Sequence, residues 1–166
     1  RFKCDWSSDV CSSDLWGYDP ISFFALEGSY SSLPEDPMSR LIEFKTLVSE
    51  LHKHNIRVVI DVVYNHLYEY ATSDFQRNVP YYYFRKYKNK MCNASGCGND
   101  LATERKMVRK IILDSVRHLL ETFDVDGLRF DLMGLIDIDT TQEIINLAKQ
   151  IKPDVILYGD SSVHIE

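Results

Sequence analysis

The spacing of apolar residues switches between a helical and an extended period several times along the chain. From Asp36 onward it is helical: Leu41, Phe44, Val48 and Leu51 recur at three- and four-residue steps and form one stripe. Asp36 followed by Pro37 starts this helix, since proline is tolerated at the first helical position, and His52, Lys53 and His54 suit its negative pole. Asn55 is the expected stop. Residues 56–64 (IRVVIDVVY) are almost continuously apolar, as in a parallel strand covered on both faces. Residues 67–101 are polar and aromatic without a long period, which predicts a functional insertion or subdomain. Helical spacing returns over residues 103–123 through Val108, Ile111, Ile112, Ser115 and Leu119. After a short strand, a third helix is expected from Thr140 or Thr141, with Thr140 and Glu143 as a capping box. Ile144, Leu147, Ala148 and Ile151 make its stripe, Pro153 stops it, and residues 154–159 (DVILYG) read as a third buried strand.

This alternation predicts an α/β fold with parallel strands joined by crossovers. Alternation alone does not separate an open, doubly wound sheet from a closed barrel. The stretch that organises the chain is Val125-Asp126-Gly127-Leu128-Arg129-Phe130-Asp131-Leu132-Met133-Gly134. Strand alternation sends Leu128 and Phe130 to one side and Arg129 and Asp131 to the other. Two ionisable residues on the inner side of a strand are costly unless they pair or do work. A permanent cation two residues from Asp131 suits a carboxylate there, the kind of group that serves as a nucleophile at the end of a barrel strand. A structural ion pair accounts for the same two residues. Asn65 and His66, Asp131, and Asp160 after Tyr158 and Gly159 all fall at strand C-terminal ends, the active face of either fold. No glycine-rich phosphate loop follows any strand, which weakens a nucleotide-binding reading.

Net charge is −6, from 25 acidic and 19 basic residues, which argues against a nucleic-acid or anionic-membrane partner. No apolar run approaches the length of a membrane span. Ten Tyr, eight Phe and two Trp supply flat apolar faces that suit sugar binding and a core equally. Tyr81-Tyr82-Tyr83-Phe84, in the insertion, is either a sugar-stacking surface or the insertion's own packing, with packing favoured. Cys92 and Cys97 sit in a Gly/Asn/Ser loop and read first as free thiols, second as a local disulfide and last as metal ligands. No cofactor or metal is expected. Residues 1–15 show neither period, are rich in Ser, Asp and Cys, and read as foreign sequence of the kind translated adapters leave.

Several stretches together resemble the α-amylase superfamily of glycoside hydrolases: Asp61-Val62-Val63-Tyr64-Asn65-His66, Gly127-Leu128-Arg129-Phe130-Asp131 and Tyr158-Gly159-Asp160. Trp16-Gly17-Tyr18-Asp19-Pro20, Gly96-Cys97-Gly98-Asn99-Asp100 and Asp131-Leu132-Met133-Gly134 look like its type I pullulanase branch. The resemblance implies part of a catalytic (β/α)8 TIM barrel over residues 16–160, with residues 67–101 as an insertion after the first clear strand. It implies retaining hydrolysis of α-1,6 links in an α-glucan polysaccharide or oligosaccharide. By motif position Asp131 would be the nucleophile and Arg129 its electrostatic partner. His66 would hydrogen-bond the sugar beside the scissile bond, Tyr18 would stack on it, and Asp61 and Asn65 would support the site. Glu104 and Arg105 match the family locally, as a solvated helix start also would.

The family's general acid is a Glu after the Tyr-Gly pair, where this chain has Asp160. Residues 161–166 also fail to match, which places a suspected junction near Asp160. A retaining glycosidase holds its two carboxyl groups about 5–5.5 Å apart, and a side chain one methylene shorter withdraws the acid by about 1 Å. Two other readings follow: a non-catalytic carbohydrate-binding barrel that lost its acid, and an amylase-like enzyme for α-1,4 links.

Overall fold

The structure, a computed structural model, describes residues 17–160. The readings of residues 1–15 as foreign and of 161–166 as an uncertain end, together with Trp16, lie outside the described residues.

Helix α1 spans Pro37–Lys53 with Asp36 as its cap, whose side chain accepts from the Met38 N–H. Its end is a left-handed turn at Asn55 (φ 57°), where the Asn55 N–H donates to His52 and the Ile56 N–H to Leu51. Strand β1 is Val59–Val62, shorter than the apolar run 56–64. Residues before it lack a strand partner and Ile56 is exposed, whereas Val63 and Tyr64 beyond it are buried without being paired. The insertion carries a short helix α2 (Asp74–Asn78) and a hairpin of β2 (Lys86–Tyr87) and β3 (Lys90–Met91). Helix α3 is Lys106–Phe123, strand β4 Gly127–Phe130, helix α4 Ile138–Ile151 and strand β5 Ile156–Gly159.

Strands β1, β4 and β5 form a parallel sheet in that order, so β4 is central. Gly127 permits its close approach to β5: a Cβ there would meet the Ile156 carbonyl oxygen at 2.4 Å. Leu128 and Phe130 point into the core, as alternation requires, among Val62, Ile112, Val116 and Phe123. Each buried side chain of this size contributes about 1.5–3 kcal/mol. The apolar face of β4 therefore locks the strand down and presents Arg129 on the opposite side.

Two expectations are corrected. Helix α4 begins at Ile138, two residues before the expected start, with Asp137 as cap accepting from the Thr140 N–H. Thr140 and Glu143 do not form a capping box. The Thr140 hydroxyl donates to the Thr103 carbonyl, and both Thr140 and Glu143 bind the Arg109 guanidinium, which clamps α3 to α4. Helix α3 in turn starts after Thr103, whose hydroxyl is used by the Asp137 N–H. The local cap of α4 is thus Asp137 rather than Thr140, and α3 starts at Lys106 with no side-chain cap.

In the run 81–84 packing prevails. Phe84 is fully buried and Tyr83 stacks on Phe75 at 4.6 Å, while Tyr81 alone is well exposed, under the Lys86 ammonium. Arg105 donates to the Tyr81 and Tyr82 carbonyls and Arg85 pairs with Glu104, so this pair of residues ties the insertion to α3.

At the opposite end of the sheet Asp126 joins three segments. Its carboxylate accepts from the Val58 N–H at 2.8 Å and lies 2.7 Å from His52 Nε2. Burial pushes this carboxyl up, but the Val58 and His52 hydrogen bonds outweigh it and hold the group below its ordinary value. A group depressed in the folded state stabilises above its unfolded value and loses that contribution as pH falls through the folded one. Asp126→Ala should therefore lower the urea midpoint clearly at pH 7, with the gap to the parent closing below about pH 4. A gap that stays constant from pH 7 to pH 3 would contradict this.

Candidate active site

The site is built where the parallel register sets three strands side by side. Asp61 of β1 lies opposite Arg129 of β4, and Arg129 opposite Tyr158 of β5. The Arg129 guanidinium is the hub. Its Nη1 donates to both Asp61 oxygens at 2.9 Å and to Asp131 Oδ1 at 3.1 Å, and its Nη2 donates to Asp160 Oδ2 at 3.0 Å. The Asp61 hydrogen bonds hold the guanidinium firmly protonated, against the opposing effect of burial. One cation thus faces three carboxylates at hydrogen-bond distance, an arrangement that leaves net negative charge at the strand ends.

Tyr18 caps this cluster from the first loop. Its hydroxyl donates to Asp61 Oδ2 at 2.7 Å, and the Arg129 guanidinium carbon lies 5.8 Å from its ring centre. The Asp61 hydrogen bond and burial both raise the phenol, so it remains a donor at neutral pH.

The loop after β1 supplies the second half. Asn65 and His66 are each 1% exposed, which requires every polar atom to be satisfied. Asn65 Nδ2 donates to the Asp131 carbonyl at 3.0 Å and to its Oδ2 at 3.2 Å. Asn65 Oδ1 faces His66 Nδ1, and His66 Nε2 lies 3.2 Å from Asp19 Oδ1. Asp131 is therefore gripped on one oxygen by Arg129 and on the other by Asn65. Such two-sided restraint fixes a carboxylate's direction, as a nucleophile needs. The Asp131 N–H donates to Val62 and the Asp160 N–H to Phe130, which extends the ladder to both acids.

Beyond Asp131 the chain turns sharply, with Leu132 left-handed (φ 44°) and a tight turn at Met133–Leu135. Met133 folds over Gly159, where any Cβ would meet its sulfur at 2.3 Å. This small residue lets the turn cover β5 just before Asp160.

Asp61, Arg129, Asp131, Asp160, Tyr18 and Asn65 thus meet in one network, and His66 joins it through Asn65. Two neighbours were not among the expected site residues: Asp19 beside His66, and Cys97 on the insertion loop. The carboxylate of Asp19, the His66 imidazole and the Cys97 sulfur lie within 4.8 Å of one another. Asp19 sits next to Tyr18 in the same motif, so it could have been found there; Cys97 stands in the Gly96–Asp100 stretch and was read first as a free thiol. Cys92 and Cys97 are free thiols, and burial together with the Asp19 and Asp131 charges pushes the Cys97 thiol up.

The chain is 48% identical over 146 residues to the pullulanase of Bacillus subtilis strain 168, covering 87% of this chain and 20% of that protein. The crystal structure of that type I pullulanase complexed with maltose superposes with a TM-score of 0.86. The chain is similar to pullulanases. A second solved pullulanase, from Anoxybacillus sp. LM18-11 complexed with maltotetraose, gives a TM-score of 0.86 at 46% identity, covering 91% of this chain and 23% of that one. Isoamylase 3 of rice chloroplasts is 43% identical over 132 residues, covering 74% of this chain and 17% of that protein. This chain spans about a fifth of the pullulanases it matches. No family model matches it. Among the described residues no helix is long and apolar enough to cross a membrane.

Proposed function

We propose that residues 16–160 are part of the catalytic (β/α)8 barrel of a retaining α-glucan debranching glycoside hydrolase, with residues 67–101 inserted after its first clear strand. The carrying observation is the Arg129 hub, which joins Tyr18, Asp61, Asp131 and Asp160 at the strand ends of a chain 48% identical to a pullulanase. In this reading Asp131 attacks the anomeric carbon and forms a covalent glycosyl intermediate that water then hydrolyses. Arg129 and Asn65 aim its carboxylate. His66, held by Asn65, donates to a hydroxyl of the sugar beside the scissile bond, and Tyr18 offers that sugar its ring face. Asp61 positions both Tyr18 and Arg129 and takes no part in bond making.

Asp160 stands where the proton donor belongs. Its carboxyl accepts from Arg129 Nη2 at 3.0 Å and is one methylene shorter than the Glu the family places there. The debranching hydrolase is the main reading, and a barrel that binds glucan without cleaving it is the alternative that the shorter side chain at position 160 raises.

Transplanting residues 16–160 into the matching segment of the Bacillus subtilis pullulanase, with Glu at position 160, separates the readings. The hybrid should release maltotriose from pullulan with retention and act poorly on amylose, while the 166-residue chain alone should release nothing. Preference for amylose would instead favour an α-1,4-acting enzyme, and binding of pullulan without turnover would favour the non-catalytic barrel.

A further inference from the structure

We propose that Asn99, on the insertion, is a positioning residue of the glucan site and sets the place of His66 through its side-chain amide. The proposal deepens the hydrolase reading and rests on it. Strand β1 ends at Val62, so Asn65 and His66 lie beyond the sheet. The main chain around them pairs with the insertion instead. The Leu101 N–H donates to the Asn65 carbonyl at 2.8 Å. The Asn99 amide then closes on both polar groups of Leu67: the Leu67 N–H donates to Asn99 Oδ1 at 3.0 Å, and Asn99 Nδ2 donates to the Leu67 carbonyl at 2.7 Å. His66 stands between these two pairings.

Few side chains can make this double hydrogen bond. It needs an acceptor and a donor side by side, which a primary amide carries and an ionised carboxylate does not. An aspartate at this position would set an oxygen against the Leu67 carbonyl oxygen. Asn99, His66 and Leu67 are all buried, so water cannot stand in for a missing partner. The loop that carries the amide is held in shape. Gly98 turns at φ 84°, a conformation glycine takes freely, and the buried Asp100 carboxylate accepts from the Ala94 and Ser95 N–H groups at 2.9 Å. The Ser95 hydroxyl donates to the Asn99 carbonyl at 2.8 Å. From Asn99 the contacts run on through Leu67 to its neighbour His66, whose Nδ1 faces Asn65 Oδ1, and from Asn65 Nδ2 to Asp131. A shift of about 1 Å passed along such a chain costs on the order of 100-fold in rate.

Amide hydrogen exchange reads the clamp without substrate. In the 166-residue chain, Asn99→Ala and the equally sized Asn99→Asp should each speed exchange of the Leu67 N–H by at least about 10-fold, while Val116 and Leu120 in the core of α3 keep their rates. Unchanged protection at Leu67 overturns the clamp, and so does equal acceleration at all three positions in both variants, which marks loss of the fold. Kinetics in the pullulanase hybrid with Glu at position 160 then separate positioning from plain stability. Asn99→Asp should lower kcat on pullulan by about 100-fold, yet cost no more than about 3-fold when added to His66→Ala, because the group it places is gone. An equal loss in both backgrounds overturns the proposal. A hybrid without any turnover counts against the hydrolase reading, and the Leu67 exchange rate still judges the clamp.

Discussion

In the hybrid enzyme with Glu at position 160, Asp131→Asn should cut turnover of pullulan by at least about 10⁴-fold while substrate still binds. An amide cannot form the glycosyl ester, so the loss falls on bond making. The substitution also carries a structural cost of known sign. Asp131 accepts from Arg129 on one oxygen and from Asn65 on the other, and asparagine has only one oxygen to offer. Its NH2 must then face a donor, at a cost of about 1–3 kcal/mol. A 10⁴-fold loss corresponds to roughly 5.5 kcal/mol, so destabilisation alone falls short of it. Melting temperature and single-turnover rate measured on the same protein keep the two apart. Turnover within about 10-fold of the parent would remove Asp131 from the nucleophile's place.

The second large effect is at Asp160. With Asp retained in the hybrid, kcat should be lower than with Glu by on the order of 100-fold, with KM little changed. The main-chain ladder from Phe130 fixes where the side chain leaves the sheet, and the Met133 N–H bound to the Asp160 carbonyl fixes it from the other side. The acid cannot advance toward the scissile oxygen by moving the backbone. It must gain length, which one methylene supplies. Asp160→Asn is the companion measurement. If Asp160 donates no proton, Asp160→Asn should match Asp160 itself within about 2-fold; equal kcat for Asp and Glu at this position would sink the assignment of position 160 as the donor.

Local physics alone accounts for much of this molecule. Helix α1 starts at Asp36-Pro37 and stops at Asn55 because caps and left-handed turns depend on residues within one turn of each other. The two-residue period of β4 sorted Leu128 and Phe130 from Arg129 and Asp131, since pleat direction is a property of the strand itself. The family motifs singled out Tyr18, Asp61, Asn65, His66, Arg129, Asp131 and Asp160 without any geometry. Register was different. That Asp61 lies directly opposite Arg129, and takes both hydrogen bonds from one nitrogen, depends on how β1 slides against β4, which no local pattern encodes. The start of α4 was misplaced for the same reason: Arg109, 31 residues away, claimed Thr140 and left capping to Asp137. Asp19, His66 and Cys97 belong to three segments separated by 47 and 31 residues, so only folding could bring their donors together. Elements come from interactions within a turn or a pleat; the meeting of side chains across segments comes from core packing, which the tertiary structure alone decides.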